Sequence, residues 1–150
     1  MGLRRWLFGS GTSARVGLYV DGPNVLREEF DVDLDELRDL AAAEGTLAVT
    51  RLYLNEQAPA ELLRAAEARG FETITTSSDV DVRLAIDAMA AAADGAIDVL
   101  VVVSRDADFK PLLERAARRG LETVAIAPGA YGRSDALRNA AQRSHTLEES

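Results

Sequence analysis

Short apolar runs alternate along this chain with segments in which apolar residues recur every three or four positions. The apolar runs cover residues 16–20, 46–54, 71–76, 97–104 and 121–127. Runs of this length bounded by turn residues predict buried strands. The segments between them predict helices that start at Asn24 or cover residues 34–43, 60–69, 82–93, 110–119 and 134–143. Several of these helices are followed by a glycine, such as Gly70 and Gly120, which is typical of a helix end.

Strands that alternate with helices of about ten residues indicate βαβ units, which build a parallel sheet with helices on both faces. Strands buried on both faces read as continuous apolar runs, as they do here. The sequence therefore predicts an α/β protein with a three-layer α/β/α architecture. We expect the strand order 3-2-1-4-5, in which the first and fourth strands are neighbours and the functional site lies where the order reverses.

The first 15 residues differ in composition from the rest of the chain. They contain three arginines and no acidic residue, followed by a Gly/Ser/Thr-rich stretch. Their apolar patch is shorter than the ~7–15 residues of a signal peptide, and no run in the chain approaches the ~20 residues of a membrane span. We expect a flexible tail over residues 1–15, one domain over residues 16–147 and a cytoplasmic location. The alternative is a weak membrane or RNA anchor through Arg4, Arg5 and Trp6.

Composition excludes several classes of chemistry. The 150 residues contain no cysteine and a single histidine, His145, which excludes disulfides, zinc–thiolate sites, iron–sulfur clusters and cysteine nucleophiles. A site of several histidines and a Ser-His-Asp triad are equally disfavoured. The net charge of −8 does not favour nonspecific binding to nucleic acid, which depends on neutralising phosphates. It leaves room for an enzyme that meets phosphates through a bound metal.

Carboxylates follow three of the five predicted strands. Asp21 ends the first strand, Asp81 follows the third, and Asp106 and Asp108 follow the fourth. Two like charges ~6 Å apart repel by roughly 3 kcal/mol at an effective dielectric constant of ~20, so such a group needs a cation, shared protons or arginine partners. Hard divalent ions prefer carboxylate ligands and can promote phosphodiester hydrolysis. We expect the four carboxylates to share one cleft, and at least one to have a raised pKa because of like-charge repulsion.

Each of these residues also has a purely structural interpretation. An aspartate at a strand end often caps the next helix, as Asp81 could for residues 82–93 and Asp106 or Asp108 for residues 110–119. Asn24 and Ser104 could likewise begin or cap a helix. Asp87 lies inside a predicted helix, where a solvated face or a salt bridge is the more frequent role.

YVDGPNV (19–25) resembles the opening (F/Y)-(I/V)-D-G-x-N motif of the NYN-domain family, a branch of the PIN-like nuclease superfamily. SDVDVRLAIDAM (78–89) resembles its V-D-V-x-L-A-x-D segment, and VVVSRDADFKPLL (101–113) resembles its S-G-D-S-D-F-x-P-L motif. SDALRNAAQRSHTL (134–147) is similar to its closing segment, so the resemblance extends over residues 16–147. Within this family, the chain is most similar to the compact, single-domain LabA-like proteins of archaea and bacteria.

The resemblance implies a PIN-like fold and a ribonuclease centre that uses Mg²⁺ or Mn²⁺. By motif position, the catalytic and metal-binding acids are Asp21, Asp81, Asp106 and Asp108, and Asn24 orients Asp21 or its bound water. Asp87 matches an additional acid, and Ser104 positions the loop or a phosphate. Arg105, Lys110 and Arg133 are the expected contacts to the RNA backbone.

This sequence departs from the family pattern at three places. Arg105 replaces the usual glycine, Gln142 replaces an aspartate, and the lysines often found before V-D-V are absent. Arg105 could pair with the acids, crowd the metal or bind a substrate phosphate. We therefore predict a metal-dependent endoribonuclease, with a catalytically weak or inactive scaffold that binds RNA or a protein partner in regulation as the alternative. A homodimer is also left open.

A phospho-acceptor receiver domain is a third interpretation, because it also groups acids at strand ends. A receiver needs an acidic pair after its first strand and a lysine late in the fold. Here the first loop holds only Asp21, and the last predicted strand runs into Ala127-Pro128-Gly129 without a lysine. The receiver interpretation is therefore disfavoured.

Overall fold

The computed structural model describes residues 13–27, 31–130 and 133–147. Residues 1–12, which make up most of the predicted tail, lie outside the described residues, and strand β1 begins at Arg15. The elements run in the order β1 (Arg15–Asp21), α1 (Gly22–Val25), α2 (Leu34–Ala42), β2 (Thr46–Asn55), α3 (Ala60–Ala68), β3 (Glu72–Thr76), α4 (Val80–Ala93), β4 (Val99–Val103), a 3-10 turn (Ala107–Phe109), α5 (Lys110–Arg118), β5 (Glu122–Ala127), α6 (Asp135–Ala140) and β6 (Arg143–Thr146).

The strands form a six-stranded sheet in the order β3-β2-β1-β4-β5-β6, and every neighbouring pair is parallel. This confirms the predicted α/β fold and the predicted order of the first five strands. The order reverses between β1 and β4, where Val20 lies beside Val103 in the register. The carboxyl ends of these two strands therefore open next to each other.

The last strand, β6, was not predicted. The sequence pattern predicts a helix over residues 134–143, but α6 ends at Ala140 and Ala141 is already extended, with φ −87° and ψ 151°. Residues Arg143–Thr146 then pair with β5 at the edge of the sheet. A four-residue polar segment carries no apolar run, so only its tertiary pairing makes it a strand.

Helix boundaries follow the expected end signals. Helix α3 ends before Gly70, which has φ +89°, and the N–H of Phe71 donates to the carbonyl of Ala66 over 3.0 Å. Glycine adopts this backbone conformation without steric cost, so the predicted stop at Gly70 is confirmed. The described helices all fall short of the length and apolar character needed to cross a membrane.

Two hydrophobic cores lie on opposite faces of the sheet. Alternate strand residues point to each face: Leu18 packs toward α2 and α3 with Leu37, whereas Tyr19 packs toward α4 and α5 with Leu84. Because both faces of the sheet are buried, the strands have continuous apolar sequences, and these runs allowed the strands to be predicted. Asp21 lies two positions after Tyr19, so its side chain projects on the α4 and α5 side of the sheet edge.

Candidate active site

Three carboxylates meet at the edge of the sheet where the strands end. Asp81 comes from the first turn of α4, and Asp106 and Asp108 come from the segment after β4. One carboxylate oxygen of each lies within 4.8 Å of the others. None of the ion pairs found among the described residues involves these three side chains, which we call the aspartate cluster. The cluster therefore offers three oxygen ligands at one point.

Asp21 lies at the base of the same site. It is 2% exposed, and its Oδ2 accepts hydrogen bonds from Asn24 Nδ2 at 2.7 Å and Ser104 Oγ at 3.0 Å. Among the described residues no donor bonds its other oxygen, Oδ1. Asp21, Asp81 and Asp106 line one cleft, so Asp21 shares the opening with two members of the cluster. Three of the four carboxylates expected in one cleft therefore line it, whereas Asp108 belongs to the aspartate cluster but is not among the described residues that line the cleft.

Ser104 links the ends of the two central strands. Its hydroxyl donates to Asp21 Oδ2 and accepts from the backbone N–H of Asp106 over 3.0 Å. The residue is 2% exposed, so both of its contacts lie inside the protein. These contacts support a positioning role for Ser104 over contact with a phosphate.

The pKa of Asp21 is raised above the usual range of a carboxyl group. Burial is the largest cause, because it disfavours the charged form. The hydrogen bonds from Asn24 and Ser104 oppose the shift, and the negative charges of Asp106 and Asp81 add to it. The sequence-based expectation of a raised pKa is confirmed, but burial outweighs the like-charge repulsion on which that expectation rested.

The caps predicted for helices α4 and α5 are not found, but Asp106 caps the 3-10 turn that precedes α5. Helix α4 begins at Val80, so Asp81 lies inside the first turn, with its Oδ1 accepting from the N–H of Val82 at 2.9 Å. Asp106 does cap the 3-10 turn, because its Oδ1 accepts from the N–H of Asp108 at 2.9 Å. A carboxylate can accept several contacts, so this one hydrogen bond does not prevent Asp106 from binding a cation. Capping and metal binding are therefore compatible at Asp106.

The glycine of the first motif is needed for close packing. A Cβ at Gly22 would lie 2.4 Å from the carbonyl oxygen of Tyr53 and 2.6 Å from Leu54 Cδ2. Glycine lets α1 turn tightly against the end of β2, which brings Asn24 back to Asp21. The D-G-x-N spacing therefore places the Asn24 side chain where it donates a hydrogen bond to the Asp21 carboxylate.

Arg105, the residue that replaces the family glycine, links two parts of the site. Its Nε donates to the carbonyl oxygen of Asn24 over 3.1 Å. The residue is partly buried and therefore joins the segment after β4 to the turn that carries Asn24. This contact adds a positioning role to the three roles considered from the sequence.

The other predicted RNA contacts lie outside the lining of the cleft. Lys110 is exposed at the first position of α5. Arg133 precedes α6 and forms an ion pair with Asp135 at 3.4 Å. Neither belongs to the described residues that line the acidic cleft, so their contact with RNA remains a prediction.

Asp87 lies apart from the aspartate cluster. It follows Asp81 by six positions on α4, which is about 9 Å along the helix axis. Its carboxylate accepts from the Tyr53 hydroxyl at 2.8 Å, Arg83 Nε at 3.0 Å and Arg51 Nη1 at 3.4 Å. These partners satisfy its charge, as the salt-bridge interpretation expected. Asp87 is not brought to the position of an additional metal-binding acid.

Three further polar residues line the cleft and were not predicted as site residues: Asn55, Ser78 and Asp79. Asn55 is the last residue of β2, and Ser78 and Asp79 follow β3, so the rule that sites lie at the carboxyl ends of strands could have found them.

Comparisons with known proteins agree with this architecture. A model of the NYN domain family matches residues 15–148. The chain is 41% identical over 128 residues, 85% of its length, to the uncharacterized protein MJ0482 of Methanocaldococcus jannaschii. It spans about half of that relative, 52% of its length. The fold is similar to the crystal structure of VPA0982, a protein of unknown function from Vibrio parahaemolyticus, with a TM-score of 0.79 and 20% identity. That match covers 92% of this chain and 95% of the other.

Proposed function

The chain belongs to the NYN domain family, and on this premise we propose that it is an endoribonuclease that depends on Mg²⁺ or Mn²⁺. The carrying observation is the aspartate cluster, in which three carboxylate oxygens lie within 4.8 Å of one another. Such a concentration of negative charge is unfavourable without a cation. The aspartate cluster lies where the strand order of the sheet reverses, which is where functional sites of such folds are found. This position favours a site that binds a cation.

The donor set fits a hard divalent ion. Carboxylate oxygens are the ligands that Mg²⁺ and Mn²⁺ take up in preference to sulfur or imidazole. Asp81, Asp106 and Asp108 would hold the ion, with Asp21 adjacent in the same cleft. When bound, such an ion activates water and stabilises the charge on the leaving oxygen of a phosphodiester.

The remaining residues hold this arrangement in place. Asn24 and Ser104 both donate to Oδ2 of Asp21, which fixes the plane of its carboxylate. Ser104 also fixes the backbone of Asp106 through its N–H. A site whose carboxylates are held before the substrate arrives loses less free energy in reorganisation when charge develops in the reaction.

Divalent-ion binding provides the first test. Calorimetric titration of the metal-free protein with MnCl₂ should give a binding isotherm for the wild type and a loss of at least about tenfold in affinity for Asp106→Asn. An amide keeps the shape of the side chain but is a poor ligand for hard cations. The Asp94→Asn variant, at the exposed opposite end of α4, is the matched control and should bind as the wild type does.

Cleavage provides the second test. Single-stranded RNA should be cut in MgCl₂ or MnCl₂ and remain intact in EDTA. A wild-type protein that binds RNA equally well with and without metal, and never cuts it, would contradict the nuclease proposal. That result would favour the regulatory scaffold.

A further inference from the structure

A second pocket adjoins the acidic cleft at the end of β2. It lies between α1 and the beginning of α3, has a volume of about 160 Å³, and shares Pro23 and Asn55 with the cleft. The two are therefore neighbours with a common wall. A ligand anchored in one can reach into the other.

The described residues that line this pocket are all uncharged, in contrast to those of the acidic cleft beside it. Its walls are the apolar side chains of Leu54, Leu62 and Pro59 together with Pro23. It therefore offers nothing to a phosphate or a metal ion, and its size suits one planar ring system better than a larger ligand.

Two carboxamides supply the polar groups of the pocket. Asn55 Oδ1 accepts from the backbone N–H of Gln57 over 3.0 Å, a local turn that holds the two residues together. The Gln57 side chain is exposed and carries both a donor and an acceptor. Paired donors and acceptors of this type match the edges of nucleobases, as carboxamides do in sequence-specific recognition of nucleic acids.

We propose that this neutral pocket binds one unpaired nucleobase of the RNA, next to the phosphate held at the acidic cleft; the inference rests on the proposed function. Base and phosphate belong to one nucleotide and are joined through a single ribose, so adjoining neutral and metal-binding sites suit its two parts. Entry into the pocket requires a base that is neither paired nor stacked. The substrate is therefore single-stranded RNA or an unpaired loop.

Binding of single nucleotides to the full chain tests the pocket without requiring cleavage. The probes are AMP, CMP, GMP and UMP in MgCl₂ at up to about 10 mM, which covers the millimolar affinity expected of one nucleotide and avoids repulsion between its phosphate and the free carboxylates. At least one nucleotide should shift the methyl signals of Leu62 and the side-chain amide signal of Gln57 in NMR spectra. Ribose 5-phosphate, which lacks the base, should shift neither.

The matched variants are Gln57→Ala in the pocket and Gln142→Ala, an exposed glutamine beside β6. Gln57→Ala should weaken nucleotide binding about threefold to tenfold, the contribution of one or two hydrogen bonds. Gln142→Ala should leave it unchanged. Equal nucleotide affinities of the two variants would contradict the proposal that the pocket binds a nucleobase. The absence of a shift at Leu62 with all four nucleotides would contradict it as well.

The outcome is separable from that of the proposed function. Line broadening by Mn²⁺ at the amides of Asp81 and Asp106 reports the metal site alone. Broadening without nucleotide shifts at Leu62 would reject the pocket and leave the metal site standing. Nucleotide shifts without broadening would reject the metal site and leave the pocket as a nucleotide-binding site.

Discussion

The acidic residues at the two ends of the sheet differ in whether they form ion pairs. At the end where the strands finish, which we call the carboxyl edge, Asp81, Asp106 and Asp108 gather without an ion pair among the described residues. At the end where the strands begin, the amino edge, each buried or half-buried acid has an arginine partner. The same residue type thus serves two purposes on one scaffold.

The amino edge holds its acids in ion pairs. Asp98, 4% exposed, accepts from the backbone N–H of Arg15 at 2.8 Å and from its guanidinium at 3.2 Å. Arg143, the first residue of β6, pairs with Glu44 and also with Glu122 at 3.0 Å. These contacts fasten β1 to the start of β4 and the edge strand to the rest of the sheet. The charges here support the fold.

At the carboxyl edge the aspartate cluster forms no ion pair among the described residues, and burial raises the pKa of Asp21 there. An acid whose folded-state pKa is raised reduces stability at neutral pH, because the folded protein disfavours its charged form. Clusters of this kind are common where function has been selected over stability. The comparison therefore predicts that substitutions at the carboxyl edge change activity, and substitutions at the amino edge change stability.

The largest effect is expected from the aspartate cluster. Asp81→Asn and Asp106→Asn should each lower RNA cleavage by about 100-fold or more, since even groups that only support metal ligands contribute about 10- to 100-fold. The double variant should lose little beyond either single variant, because two ligands of one site act as a unit. Cleavage rates at saturating MnCl₂, with unfolding midpoints measured beside them, test this.

Additive losses in that series would mean that the two carboxylates serve separate steps. A drop in the unfolding midpoint that accounts for the lost activity would contradict the proposed division between the edges. Asp94→Asn again serves as the control on the same helix.

The next effect is expected at the amino edge. Asp98→Ala removes the acceptor of the Arg15 N–H and leaves that amide without its partner, which should lower the unfolding midpoint by about 5 °C. Cleavage per folded molecule should not change at temperatures where the variant is folded. Thermal unfolding followed by circular dichroism measures the first quantity.

Glu72→Ala is the matched control for Asp98→Ala. Glu72 pairs with Arg51 at 2.9 Å, but its side chain is 60% exposed, so the loss of this pair should have a much smaller effect. An equal loss of stability in the two variants would show that burial at the amino edge does not matter.

A smaller effect of opposite sign is expected at Asp21. Asp21→Asn removes the buried charge and should raise the free energy of unfolding at pH 7 by about 1 kcal/mol in the absence of metal, a typical gain from relieving a functional site. Cleavage should be lost. Urea unfolding in EDTA measures the change.

The pH dependence of the free energy of unfolding tests the direction of this change a second time. The folded protein holds the Asp21 proton to a higher pH than the unfolded chain, so the free energy of unfolding decreases as pH rises from about 3.9 through the raised folded-state pKa. Asp21→Asn lacks this contribution, so its stability relative to the wild type should increase as pH rises through this range. A variant that is less stable than the wild type at pH 7 would show that the ionised carboxylate supports the fold.

The sequence predicts the carboxyl edge much better than the amino edge. The acids of the carboxyl edge occupy motifs after apolar strands, so Asp21, Asp81 and Asp106 could be assigned to one edge, because the carboxyl ends of parallel strands meet there. The ion pairs of the amino edge join residues up to 99 positions apart, such as Arg143 and Glu44, and follow no local pattern. Strand β6 was missed for the same reason, because its pairing with β5 is set by tertiary contacts.

The contact of Asn24 with Asp21 could be predicted from the motif, but other details of the site could not. Burial of Asp21 and the link through Ser104 depend on atomic positions, which strand order does not supply. The motif residue Asp87 shows the converse: its position in the pattern indicated an active-site acid, and its contacts with Tyr53, Arg83 and Arg51 are those of a structural one.

The smallest effect is expected at Arg105, where the carboxyl edge does contain a cation. Its Nε bonds the carbonyl of Asn24, whose side chain orients Asp21, so loss of the bond should loosen the carboxylate and lower cleavage by about threefold to tenfold. Arg105→Gly restores the usual family residue and removes both the bond and the charge. Arg105→Lys keeps the charge but not the planar donor. Equal losses in the two variants would identify the hydrogen bond as the contribution, whereas activity retained only by lysine would identify contact with a phosphate. Faster cleavage by Arg105→Gly would mean that the arginine obstructs the metal site. The difference between the carboxyl edge and the amino edge would then be incomplete, because an arginine would also oppose the acids of the carboxyl edge.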